Sequence, residues 1–143
     1  MSFEELYELA FNVSKEVHIS KDAEIGSVGA AIESESGHVY IGKNIDMSCA
    51  LGMCAERNAI STMLTTETSR IMKLVCVHKS GKVILPCGAC AEFLKHLEDI
   101  TKDTEILVSL HPLKTIKLKD ISPYYWRDQI NGQIKNSEIK AKK

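Results

Sequence analysis

Three cysteines and one glutamate supply the residue types and spacing that could do chemistry in this chain. Cys54-Ala55-Glu56 is answered later by Pro86-Cys87-Gly88-Ala89-Cys90. Cys87 and Cys90 stand three apart, so at the opening of a helix they present their sulfur atoms on one face. Cys54, from a separate helix start, completes three ligands. Three thiolates without an obvious fourth donor form the pattern of a catalytic zinc that keeps one position for water. Glu56, two residues past Cys54, is placed to touch that water rather than to ligate, which makes it a proton shuttle. A thiolate is favoured at a helix N-terminus by the positive end of the dipole and by free N–H groups. Three thiolates leave the site anionic, and Arg57, one turn from Cys54, is expected to donate to the sulfur atoms and restore electrophilicity. A closed structural site is the alternative, with Cys49 as fourth ligand, but it leaves Glu56 unexplained. Cys76, mid-strand, reads as a small buried apolar residue, and the five histidines show no ligand spacing.

The elements that must position these residues follow from periodicity. Residues 3–17 carry apolar side chains at spacings of three and four, an amphipathic helix with Ser2 as its cap. His18 to Glu24 is polar and loop-like. Ser27–Glu33 reads as a strand whose small residues permit close approach of another element, and His38–Gly42 as its hairpin partner. Lys43–Met53 is read as an irregular loop, leading to a helix from Cys54 to about Thr65. Lys73–His78 is a central strand by its dense apolar and β-branched content. Pro86 precedes a second helix running from Cys87 to about Asp99. Glu105–Leu110 and Thr115–Leu118 are strands joined by too short a link for a parallel crossover, hence antiparallel neighbours. Ile121–Ile130 is expected to form a short helical turn. This order predicts a three-layer α/β/α fold with a five-stranded mixed sheet.

Length and charge narrow the class. The chain has 143 residues, enough for one core, with a net charge of -1. We expect a single domain over residues 1–130 and a basic C-terminal tail over 131–143, read as solvated. Neither a nucleic-acid partner nor a membrane is called for by the overall balance. No apolar run spans a bilayer and no signal-peptide segment is visible, so a cytoplasmic location is expected.

At Cys54-Ala55-Glu56-Arg57 and Pro86-Cys87-Gly88-Ala89-Cys90 the chain resembles the zinc-dependent cytidine deaminase superfamily, whose all-cysteine variant pairs such motifs with a glutamate that is not a ligand. Val28-Gly29-Ala30-Ala31 is similar to the family's first strand and Leu51-Gly52-Met53 to its approach to the metal. The resemblance covers roughly residues 5–127 and is to the small free-nucleoside branch. It implies one Zn2+ per subunit, hydrolytic deamination of a cytosine nucleoside, a role in nucleoside metabolism such as pyrimidine salvage, and a homo-oligomer, tetramer or dimer. It also implies residue roles: Glu56 as proton carrier, the Ala55 and Cys87 backbones against the base, and Asn44 and Asp46 near the ribose hydroxyls. Trp126 matches an aromatic that reaches an active site, often a neighbour's.

Three departures from the family pattern touch substrate recognition. Gly26 stands where an aromatic is usual, Asp46 replaces a glutamate, and the Asn44–Asp46 pair sits one residue nearer Cys54. They suggest a wider base pocket, suited to a modified cytosine nucleoside or a nucleoside antibiotic of the blasticidin kind. Asn44 and Asp46 also suit an ordinary turn; Trp126 and its tyrosines also suit core packing or a subunit interface. Two other readings stand beside the enzyme: a catalytically silent zinc-stabilised module that binds nucleosides, and a polynucleotide deaminase, which only the basic tail supports.

Overall fold

The structure is a computed structural model that describes residues 1–140; positions 141–143 of the expected tail lie outside the described residues. Helix α1 spans Phe3–Val13, and Ser2 caps it by accepting the Glu5 N–H at 3.1 Å, as the sequence predicts. The helix stops four residues early because Ser14 turns its N–H and hydroxyl back onto Phe11 O, at 3.1 and 2.6 Å, and gives its own carbonyl to Ser27 N. Val17 then opens a strand instead of ending a helix.

The sheet has seven strands, not five. In chain order these are β1 (Val17–Ser20), β2 (Ala23–Ser34), β3 (Val39–Met47), β4 (Ile71–His78), β5 (Val83–Ile84), β6 (Glu105–Leu110) and β7 (Leu113–Ile116). The two unexpected members are β1 and β5. All four residues of β1 are exposed and β5 has only two, so neither shows the apolar pattern by which a strand is recognised. β3 pairs antiparallel along one edge of β2; β1 and β4 share the other edge end to end. β4 and β6 run parallel and β6 and β7 antiparallel, so the last pair is as expected. The sheet is mixed.

Side chains alternate across it. Ala30, Ile32, Leu74, Cys76 and Ile106 face one layer, made by α2 (Ala55–Thr66), α3 (Gly88–His96) and α5 (Leu118–Ile121). Ala31, Val75, Val77 and Leu107 face α1 on the other side. Gly29 is what lets α1 lie so close: a Cβ there would collide with the Ala10 carbonyl. The expected long second metal helix is divided. Thr101 donates its hydroxyl to Leu94 O and Leu97 O at 2.7 and 3.1 Å, which closes α3 and leaves Glu98–Thr101 as a separate turn, α4. The C-terminal stretch adds α6 (Trp126–Ile130) and a single 3-10 turn at Asn136–Glu138.

Candidate active site

Two helix starts and one strand converge on a cavity of about 410 Å³, within the range of small-molecule sites. Cys54 is the N-cap of α2 and Cys87 the N-cap of α3, while Cys90 lies in the first turn of α3. The backbone carbonyls of both N-cap residues accept the first helical bonds, from Asn58 N and Ala91 N. Neither thiol is used as a side-chain cap, so both are left for another partner.

The three sulfur atoms lie within 4.8 Å of one another, Cys54 and Cys87 at 3.6 Å. Zn–S bonds of ~2.3 Å in a tetrahedron would set sulfur atoms about 3.8 Å apart, so the donor set fits zinc. Electrostatics point the same way. Burial pushes the Cys54 thiol up, and burial followed by the Glu56 charge does the same to Cys90. At Cys87 burial also opposes ionisation, but N–H groups of Cys90 and Ala89 and the neighbouring thiols outweigh it and its pKa falls. Three thiolates side by side need a cation between them. Cys49 lines the cavity but is not in the sulfur cluster, so the closed four-cysteine alternative finds no fourth ligand there.

Glu56, in the first turn of α2, is 5 % exposed and faces the same cavity. Beneath it Cys76 is fully buried in β4; its thiol is pushed up by burial and then by the Glu56 charge. Arg57 places Nη2 3.9 Å from Cys54 Sγ, which raises the guanidinium pKa. Its Nε is buried without a hydrogen-bond partner among the described residues. A positively charged, partly buried fork beside the sulfur cluster is in reach of the role expected of Arg57.

Asn44 and Asp46 are strand residues, not turn residues: β3 continues to Met47, and the expected loop shrinks accordingly. Two apart on a strand, they share one face, and both line the cavity with Ala55. A short bridge between Ile45 and Met53, with N–O distances of 2.8 and 3.0 Å, ties the approach to Cys54 onto β3. Trp126 is placed elsewhere. It begins α6, donates Nε1 to Glu92 Oε1 at 2.6 Å, lies beneath Arg127 at 4.8 Å and is 43 % exposed, outside the lining of this cavity.

Sequence reasoning did not assign Val28, Met53 or Leu85 to the site, yet all three line it. For Val28 a signal existed in Gly26-Ser27. Both have positive φ, +106° and +75°, and the β2–β3 register shifts between Ile25 and Gly29. A glycine inside a strand is the mark of such a bulge. A Cβ at Gly26 would strike the Lys15 carbonyl, so no aromatic fits that place.

Residues 2–105 match the family described as the cytidine and deoxycytidylate deaminase zinc-binding region. A curated cytidine deaminase of Mycobacterium tuberculosis is 35% identical over 98 residues, which are 68% of this chain and 70% of that protein. The crystal structure of cytidine deaminase from the same organism superposes with a TM-score of 0.69 at 26% identity, over 88% of this chain and 98% of the other. That from Burkholderia pseudomallei gives 0.65 at 25% identity, over 85% and 96%.

Proposed function

The chain belongs to the zinc-binding family of cytidine and deoxycytidylate deaminases, and on that premise we propose how its residues divide the work of hydrolysing a cytosine nucleoside to its uracil form and ammonia. It is a zinc-dependent hydrolytic deaminase. The observation that carries the reading is a cluster of three cysteine sulfurs, within 4.8 Å of one another, at a cavity that Cys54, Cys87 and the buried Glu56 line.

Cys54, Cys87 and Cys90 would hold the zinc, which supplies a Lewis acid able to make water nucleophilic near neutral pH. Glu56 takes the proton that water gives up as its oxygen adds to C4 of the base. The carboxyl then passes that proton to ring N3, takes a second from the new C4 hydroxyl and gives it to the departing amino nitrogen, so that the C4–N bond breaks, the C4 carbonyl forms, ammonia leaves and the carboxylate returns. The Ala55 and Cys87 backbones orient the base. The Asn44–Asp46 pair on the polar wall faces the sugar.

The substrate we propose is the free nucleoside. Arg57 is the one cation among the lining residues, and it is turned to the thiols, leaving none to receive a 5′-phosphate. Deamination of cytidine is favoured over an antibiotic nucleoside and over a silent module by the matched relatives. We place the enzyme in cytoplasmic pyrimidine salvage. The assembly we propose is a homotetramer or dimer, for which Leu51, Leu113 and Ile130, 78 %, 62 % and 70 % exposed, are available contacts. No described helix is long and apolar enough to cross a membrane.

Ammonia release and the accompanying absorbance change, followed for cytidine, deoxycytidine, their N4- and C5-substituted analogues and the 5′-monophosphates, test the proposal. Free nucleosides are expected to react and Glu56→Ala to abolish the reaction. Equal turnover by Glu56→Ala would end it.

A further inference from the structure

Resting on Glu56 as the proton carrier, we infer that Cys76 is a positioning residue for the reaction: its S–H group, rising from the sheet, donates to the Glu56 carboxylate and holds that side chain toward the cavity. The register sets its place. Cys76 pairs with Ala30 of β2 on one side and with Ile84 of β5 on the other. Ile84 lines the cavity, and so does Val28, two residues before Ala30 on the same face of β2. Ala55 and Ala59 of α2 pack into the same cluster as Cys76, and side chains this small bring the start of the helix close to the strand. Cys76 therefore stands under the first turn of α2, the turn that carries Glu56.

Each of the two groups needs the other. The buried cluster around Cys76 is otherwise apolar, and the acceptor that borders its thiol is the Glu56 carboxylate. Glu56 is a charge held almost wholly out of water, and a buried carboxylate without a donor is costly. Among the described residues, the donors beside it on α2 are committed elsewhere. Arg57 Nη2 turns to Cys54 Sγ at 3.9 Å, and Asn58 Nδ2 donates to Lys43 O at 3.0 Å. The other thiol against the carboxylate is that of Cys90, which gives up its proton when it ligates zinc. Cys76 is left, and a thiol sealed in apolar surroundings keeps its proton.

The consequence is orientation. A proton carrier must reach the water, ring N3 and the departing nitrogen in turn, and small misplacements of such a group are expensive in rate. The thiol holds one carboxylate oxygen from below and leaves the other to face the cavity. S–H is a weak donor, so it anchors the carboxylate without competing for the proton that the carboxyl takes up and passes on. The thiol proton stays on sulfur throughout. An apolar side chain of the same size would fill the space and leave the carboxylate unheld.

Two measurements on the zinc-loaded enzyme decide the matter. In steady-state kinetics with cytidine, Cys76→Ala should lower kcat roughly 5- to 10-fold with KM nearly unchanged, the effect of losing a weak donor's hydrogen bond to a charged group. Cys76→Ser offers a hydroxyl to the same carboxylate and should return kcat to within about twofold of wild type. An undiminished kcat in Cys76→Ala, or a serine variant as slow as the alanine one, would overturn the inference and reduce Cys76 to packing. The second measurement is the infrared S–H stretch. Of the five cysteines three ligate zinc and Cys49 is exposed, so in Cys49→Ser the Cys76 thiol is the one left with a proton. Its band should lie low, as that of a hydrogen-bonded thiol does, and move up when Glu56→Gln is added. A band that Glu56→Gln does not move would overturn the inference, and this comparison decides alone if Cys76→Ala fails to fold by thermal melting. Full activity in Glu56→Ala would instead remove the proton-carrier reading, a result seen without touching Cys76.

Discussion

The Cys54 and Cys90 thiols are held up by burial before anything else acts on them, so both are protonated near neutral pH when no cation is near. Zinc binding must therefore displace protons. We expect more than one proton released per zinc when the metal-free protein is loaded at pH 7, and affinity that falls steeply as pH drops. A pH-indicator titration in weak buffer measures this; release of one proton or fewer would contradict three thiolate ligands. Arg57 adds a second expectation. Its charge draws electron density from the sulfurs, so Arg57→Gln should leave a weaker Lewis acid and move the acidic limb of the kcat/KM profile to higher pH. Lysine should not restore it, because a point charge does not reproduce the fork. An unmoved limb in Arg57→Gln would reduce Arg57 to packing. These residues were legible in the sequence because metal ligands, their helix starts and the adjacent glutamate are local. Asn44 was only half legible: its hydrogen-bond partners Val28 and Asp46 come together through a bulge that no spacing rule displays.

Helix α2 is secured at both ends, by the sulfur cluster at its start and by a carboxylate latch at its finish. Glu67, its C-cap residue, accepts from Ser36 Oγ at 2.7 Å and from Tyr40 OH, and lies 2.9 Å from His38 Nδ1. The Tyr40 bond first, then those from Ser36 and His38, bring its pKa from 4.5 down to about 2. A carboxylate lowered in this way adds stability that is complete above pH 4.5 and is lost as pH falls through about 2. Glu67→Gln should thus melt below wild type at pH 7, with the two melting temperatures drawing together between pH 4.5 and 2. A gap that is constant with pH would mean the latch works by packing, not charge. The elements themselves show where sequence reading succeeds. Ile71–His78 and Glu105–Leu110 bury both faces or most of them and are dense in apolar residues. By apolar pattern alone the strand Val39–Met47 ends at Gly42, because Lys43, Asn44 and Asp46 break the alternation. They belong to the strand all the same, since beyond Gly42 it lines a cavity instead of the core. Val17–Ser20 has no buried residue and left no trace.

At the scale of the whole molecule the question is which copy Trp126 serves. Its indole is pinned, Nε1 to Glu92 on α3 and its face to Arg127, yet it is not among the lining residues of its own chain's cavity and remains 43 % exposed. Lys95 strengthens the seat: 7 % exposed, it lies 4.0 Å from Asp128 on α6, 3.3 Å from Glu98 and 5.1 Å from the Tyr125 ring. So firm a support for an exposed ring suits a contact with another subunit, where a tryptophan adds a large rigid surface. In the proposed oligomer a site would then combine Glu56 of one subunit with Trp126 of the next. Co-expression of Trp126→Ala with Glu56→Ala tests this without solving the assembly. Each variant alone lacks one half of every site. With random mixing in equal amounts, about a quarter of the sites join an intact Glu56 to an intact Trp126, so activity should return to about a quarter of wild type. If Trp126 acts only within its own chain, mixing merely dilutes the Trp126→Ala activity by half. Light scattering on the same samples reports whether hybrids form, so that a failure to assemble is told apart from a failure to share the site.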